Sequence, residues 1–109
     1  MSYLKFLRLV DAARQLPSYP KMDGTEVRLL NALAQEWQIG DKVKVLHAMK
    51  MLPDVSPSSV HRRLKTLRAK GFLTLEVDDS DNRIKYVVST RLCTKYLAKM
   101  DACLAKAFG

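Results

Sequence analysis

The residue types best suited to chemistry gather in the run Ser-Pro-Ser-Ser-Val-His-Arg-Arg-Leu-Lys-Thr-Leu-Arg-Ala-Lys-Gly-Phe-Leu, residues 56–73. Ser56 offers a hydroxyl to the first free N–H groups of a helix. Pro57 already has the φ of a first helical position, and Gly71 supplies the left-handed residue that ends one. The predicted helix covers about residues 57–70. Steps of about 100° put Val60, Leu64 and Leu67 on one stripe and Ser58, Ser59, Arg62, Lys65, Thr66 and Ala69 on the opposite side. A helix roughly 21 Å long that packs on one face and offers hydroxyls and cations on the other suits a DNA major groove. Ser58, Ser59, Arg62, Lys65 and Thr66 are the candidates to read base edges, with Arg62 the best match to a guanine. Lys44, His61, Arg63 and Arg68 are the candidates for phosphate.

A charged helix face is often only a solvated one, but such faces mix signs, and residues 61–70 hold five Lys or Arg and no acid. The net charge of +8 is concentrated in the same region, since residues 41–73 carry eight basic and two acidic residues. A field of that sign, so placed, points to a polyanionic partner.

Catalysis finds little support. There are two histidines, His47 and His61, four glycines, no Cys-x-x-Cys and no glycine-rich phosphate loop, so no enzyme activity, metal site or cofactor is expected. Cys93 and Cys103 fall ten apart on one predicted helix and cannot pair with each other. Cys93, in the first turn between Arg91 and Lys95, is the one candidate for a stabilised thiolate and redox control. Cys103 reads as packing. With no apolar run of about 18 residues and no cleavable leader, the expectation is a cytoplasmic, nucleoid-associated protein without a membrane.

The elements that must position these residues are readable from periodicity. Residues 2–16 predict a helix with two adjacent apolar rows, Leu4, Leu7 and Val10 beside Phe6, Leu9 and Ala13. That surface is wider than one neighbour needs and suits a helix shared with a partner subunit. After a Pro-rich loop, Thr25 or Asp23 caps a helix over about 26–36 with Val27, Leu30, Leu33 and Trp37 inward. A third helix is expected from Asp41 to Pro53, carrying Val43, Leu46 and either His47 or Met49 inward. A tight turn with a buried Val55 then leads into the basic helix. After Gly71 the period drops to two, and Phe72, Leu73, Leu75 and Val77 pair with Ile84, Tyr86, Val87 and Val88 across an Asp/Asn-rich turn. From Thr90 the chain is helical again, with Leu92, Tyr96, Met100, Cys103 or Leu104 and Ala107 as its apolar stripe.

A helix-turn-helix followed at once by a hairpin resembles a winged-helix domain. The segment Asp-Asp-Ser-Asp-Asn-Arg-Ile-Lys-Tyr-Val-Val-Ser-Thr, residues 78–90, is similar to the wing of MarR-type regulators, whose pattern is Asp-x-x-Asp-x-Arg, a valine-rich strand and a threonine. Asp78, Asp81, Arg83, Val87 and Thr90 stand at those positions. The resemblance implies that Arg83 enters a minor groove while Asp81 or Asp78 holds its guanidinium. It covers about residues 41–90. The chain differs from the family in having one predicted C-terminal helix rather than two, and Arg91 where a glycine usually follows the threonine. The family's small-molecule pocket, between its dimerisation and DNA-binding parts, is therefore left open.

The combined expectation is a mainly α fold with a small β-hairpin, a single winged helix-turn-helix domain over residues 1–109. Its helix-turn-helix lies at about 41–70, its wing at about 73–89, and terminal helices at 2–16 and 90–107 dimerise through Leu4, Leu7, Val10, Tyr96, Met100 and Leu104. The expected function is sequence-specific binding of double-stranded DNA as a homodimeric repressor on an inverted repeat. A winged-helix adaptor docking an acidic protein, or a nonspecific DNA-coating protein, are the alternatives.

Overall fold

The computed structural model describes residues 1–40 and 42–109, in the order α1 (Ser2–Arg14), α2 (Gly24–Ile39), β1 (Val43–Lys44), α3 (Val45–Ala48), α4 (Pro57–Ala69), β2 (Leu73–Val77), β3 (Lys85–Ser89) and α5 (Arg91–Phe108). Contacts divide it into two units, residues 22–90 and residues 1–21 with 91–109.

In the first unit, α2 is started by a reciprocal cap. Asp23 Oδ1 accepts the Glu26 N–H at 2.8 Å, and Glu26 Oε1 accepts the Asp23 N–H at 3.0 Å, satisfying two donors that the first turn leaves unpaired. The helix therefore begins two residues earlier than expected, and it runs on to Gly40, whose φ of 91° only glycine adopts without strain. Leu29, Leu30 and Leu33 are buried along its length. Val27 and Trp37 are half-buried, and the Trp37 indole N–H donates to the Val87 carbonyl at 3.0 Å.

The third helix differs most from expectation. Its expected start, Asp41, lies outside the described residues. Val43 and Lys44 are a strand, paired antiparallel with Val87 and Tyr86, and only Val45–Ala48 is helical. The cause is tertiary: β3 offers Val43 a hydrogen-bonding partner and a buried position that a local helix would forgo. Leu46, expected inward, is 74% exposed, and His47 is exposed. Ala48 and Leu52 fill the core instead, while Val55 is half-buried rather than buried.

Helix α4 follows its sequence closely. Ser56 Oγ accepts the Ser59 N–H at 3.3 Å, Pro57 opens the first turn, and Gly71 has a φ of 90°. Val60, Leu64 and Leu67 are buried, each contributing about 2 kcal/mol by removal from water. Strands β2 and β3 pair from Leu73 opposite Ser89 to Val77 opposite Lys85, and the sheet order is β1-β3-β2, antiparallel throughout. The Thr90 hydroxyl donates to the Gly71 carbonyl, joining the two feet of this hairpin.

In the second unit α1 packs on α5. Val10, Ala13 and Cys103 form its core, with Phe6, Leu9 and Met100 against them. Arg14 Nε donates to the Tyr96 hydroxyl at 3.0 Å, and the Tyr19 ring meets Tyr96 edge-on at 5.6 Å. Cys103, rather than Leu104, takes the inward position. Among the described residues no helix is long and apolar enough to cross a membrane.

Candidate nucleic-acid interface

Helix α4 presents three strips. The first is the buried Val60, Leu64 and Leu67. The second faces α2, whose N-terminal acids neutralise it. Arg63 Nη1 lies 2.9 Å from Asp23 Oδ2, and Lys70 Nζ donates to Glu26 Oε1 and Oε2 at 2.7 and 2.9 Å. The Thr66 hydroxyl donates to Glu26 Oε2 at 2.8 Å and also lies 3.0 Å from the Arg63 carbonyl oxygen. Glu26 is only 2% exposed. Burial pushes its carboxyl up, but the hydrogen bonds from Lys70, the Asp23 N–H and Thr66 outweigh that and hold it below the usual carboxylate range.

The third strip is open. Ser58, Arg62, Lys65 and Arg68 are exposed, and none of these three cations forms an ion pair with an acid among the described residues. Thr66, expected on the open side, is half-buried against α2, and the guanidinium of Arg63, a phosphate candidate, is paired with Asp23. Ser59 is tied into the cap, its hydroxyl accepting from Ser56 at 2.8 Å. Lys44 is exposed on β1, and His61 is half-buried at the hairpin side of α4.

The turn of the hairpin separates the roles of its two acids. Asp81 grips Arg83: the Arg83 backbone N–H and Nε donate to Oδ1 at 3.0 and 3.1 Å, and Nη2 donates to Oδ2 at 3.1 Å. The Arg83 side chain is nonetheless 90% exposed, and its guanidinium holds the Asp81 carboxyl below the usual range. Asp78 instead builds the turn. It accepts the Tyr86 hydroxyl at 2.8 Å, the Ser80 N–H and hydroxyl at 3.0 and 2.9 Å, and the Asp81 N–H at 3.1 Å. Those donors, Tyr86 foremost, lower its pKa to about 2. Of the two acids, then, Asp81 is the one that holds the Arg83 guanidinium.

Between α4 and the hairpin lies a groove of about 600 Å³, lined in part by Lys65, Arg68 and Arg83. Lys85, a cation not among the expected site residues, also lines it and stands opposite Val77 in the hairpin. Glu26 was missed as well; Asp23 was one of two expected caps of α2, and the Asp-x-x-Glu spacing of a capping box was the readable signal for its partner.

Cys93 does not fit its expected role as an activated thiolate. It is fully buried, and desolvation pushes its thiol up to about 11, overriding any help from the helix N-terminus and nearby cations. Among the described residues no three His, Cys, Asp or Glu are grouped to hold a metal ion.

A capped helix beside a short helix, closed by an antiparallel hairpin and flanked by terminal helices, is the winged helix-turn-helix α+β fold of MarR-like transcriptional regulators. Among solved structures the chain is similar to the transcriptional regulator Tm0710 from Thermotoga maritima, with a TM-score of 0.69 and 19% identity, over 99% of this chain and 68% of that one. It is similar to the heme sensor protein PefR from Streptococcus agalactiae in complex with heme, with a TM-score of 0.65 and 20% identity, over 96% and 65%. A third likeness is to BpsR of Bordetella bronchiseptica, whose DNA binding is regulated by 6-hydroxynicotinic acid, with a TM-score of 0.55 and 17% identity, over 99% and 74%. At these identities the likeness is one of fold, and the chain spans about two thirds of the length of the first two. No protein-family model matches the chain, and no curated protein does.

Proposed function

We propose that this protein is a double-stranded-DNA-binding transcriptional regulator that acts as a homodimeric repressor on an inverted repeat. The observation that carries the reading is the asymmetry of α4. Acids of α2 neutralise Arg63 and Lys70 on one side, while Arg62, Lys65 and Arg68 on the other keep their charge for an external partner. In this reading Ser58, Arg62 and Lys65 face base edges, with Ser59 at the margin. Arg68, Lys44 and His61 meet phosphate, and Arg83, steered by Asp81, reaches the minor groove. Exposed Leu4, Leu7 and Leu104 on α1 and α5 support a dimer seam. Val10, Tyr96 and Met100 pack within the unit and act on that seam only indirectly.

The test is selection of bound duplexes from a random DNA pool at about 150 mM salt, followed by footprinting of the winner. Two half-sites about one helical turn, roughly 34 Å, apart are expected. A pool that stays random after selection overturns the reading and moves attention to an acidic protein partner. Sedimentation of the full chain checks the dimer, and a monomer at micromolar concentration refutes it.

A further inference from the structure

Most of the net charge of the chain lies outside the winged unit. Residues 1–21 and 91–109 hold eight Lys or Arg against two Asp, a net of +6, while residues 22–90 hold eleven against nine and net only +2. Acids of α2 and the hairpin offset the cations around α4, and the unit built by α1 and α5 has no such compensation. In the dimer proposed above, two like charges of this size come together, which opposes association unless an anion neutralises them.

The cations are ordered as well as numerous. On α5, Arg91, Lys95, Lys99 and Lys106 fall within about 80° of one another around the axis, in a stripe on the order of 22 Å long. All four are exposed, and none forms an ion pair with an acid among the described residues. Asp101, the one acid of α5, lies outside that arc, and the only apolar helical residue within it is Ala102. The stripe is also separate from the proposed seam. The buried face of α5, with Tyr96 and Ala107, lies between it and Leu104, and Lys99 and Lys106 instead line a small groove against Leu9 and Leu16 of α1.

We infer that this stripe of α5 is a second contact surface for double-stranded DNA, one that grips the sugar-phosphate backbone without reading sequence and works independently of α4. A duplex carries one negative charge per about 1.7 Å of its axis, so a stripe of this length offers each of the four cations a phosphate. A protein interface would centre on bulky anchors in an apolar patch, and a membrane surface would take an apolar face beside the cations; the arc has neither. The inference does not rest on base reading by α4.

The test is binding of a random-sequence duplex of about 30 base pairs to the full chain, followed by fluorescence anisotropy between about 50 and 200 mM salt. Lys95→Gln combined with Lys99→Gln and Lys106→Gln removes three charges at exposed positions and keeps good helix formers there, so the fold is retained. This variant is expected to lower the salt slope by about two to three units and to weaken random duplex at least tenfold at about 150 mM salt. The ratio of selected to random affinity is expected to stay unchanged, since α4 is intact. Lys5→Gln with Arg8→Gln and Lys21→Gln removes the same charge from exposed positions off the stripe and is expected to lower the slope by less than about one unit. An unchanged slope in the α5 variant, an equal fall in the control variant, or no binding of random duplex by the native chain at about 50 mM salt overturns the inference. The regulator reading fails separately: a slope that falls with the α5 variant in a chain that prefers no sequence leaves the stripe standing and removes base reading from α4.

Discussion

Lys70 Nζ stands 2.7 Å from Glu26 Oε1, a contact between residues 44 apart in the chain that fastens α4 to the start of α2. The carboxylate is nearly sealed from water, yet every side of it is answered: by the ammonium, by the Thr66 hydroxyl and by the Asp23 N–H. A buried acid so satisfied fixes one rotation of α4 about its axis, because turning the helix would strand it.

Glu26→Gln is expected to destabilise the fold by about 1–3 kcal/mol, since the neutral amide loses the ion pair in a site built for charge. Glu26's folded pKa lies below its unfolded one, so its contribution is complete above about pH 4.3 and is lost as pH falls through the lowered folded value. Urea unfolding at neutral pH and near pH 3 checks both points. A gap between native and variant that widened in acid would contradict the sign.

Arg62→Ala is expected to cost on the order of 1–3 kcal/mol in duplex affinity and to relax preference at one position per half-site. Equal loss on specific and nonspecific DNA would remove Arg62 from base reading.

Arg68→Ala should flatten the salt dependence of binding by about one unit of slope. Arg63→Ala should flatten it less, because Arg63 begins neutralised by Asp23 and has that pair to give up. Its main effect is a loss of at most about 1 kcal/mol of stability from a partly exposed ion pair. Binding isotherms at several salt concentrations separate the two, and the reverse order would show that Asp23 releases Arg63 to phosphate.

Tyr86→Phe is expected to raise the titration midpoint of Asp78 from about 2 toward the ordinary carboxylate range, because its principal donor to the charged form is gone. The wing then loosens at higher pH than in the native chain. Carboxyl carbon NMR across pH 1.5–5 (roughly that window) reads the midpoint, and an unmoved Asp78 would mean that Ser80 and the backbone suffice.

Cys93, with a thiol near 11, should resist alkylation at neutral pH until the chain unfolds. Mass spectrometry after iodoacetamide, with and without urea, distinguishes a buried thiol from a reactive one.

The sequence revealed those elements whose determinants are local. Ser56, Pro57 and Gly71 delimit α4 within its own span, and alternation with an Asp/Asn turn delimits the hairpin. What escaped depended on distant partners. Strand β1 is two residues long and exists because β3, more than 40 positions on, accepts it. Thr66 sits where helical geometry puts a groove-facing residue, but Glu26 is there to take its hydroxyl. The charge of Cys93 turned on burial, which a helix position does not reveal.

The hydrogen bond from Thr90 to the Gly71 carbonyl has a consequence for how the wing can vary. It closes the hairpin at its base, so residues 72–89 leave and rejoin the scaffold at one point. Lengthening or trimming the turn at 78–84 should therefore change how far an arginine at its tip extends while leaving the pitch and seat of α4 untouched. The tip is an interchangeable fitting on a fixed mount, where proteins of this fold can diversify their reach without refolding the helix beside it.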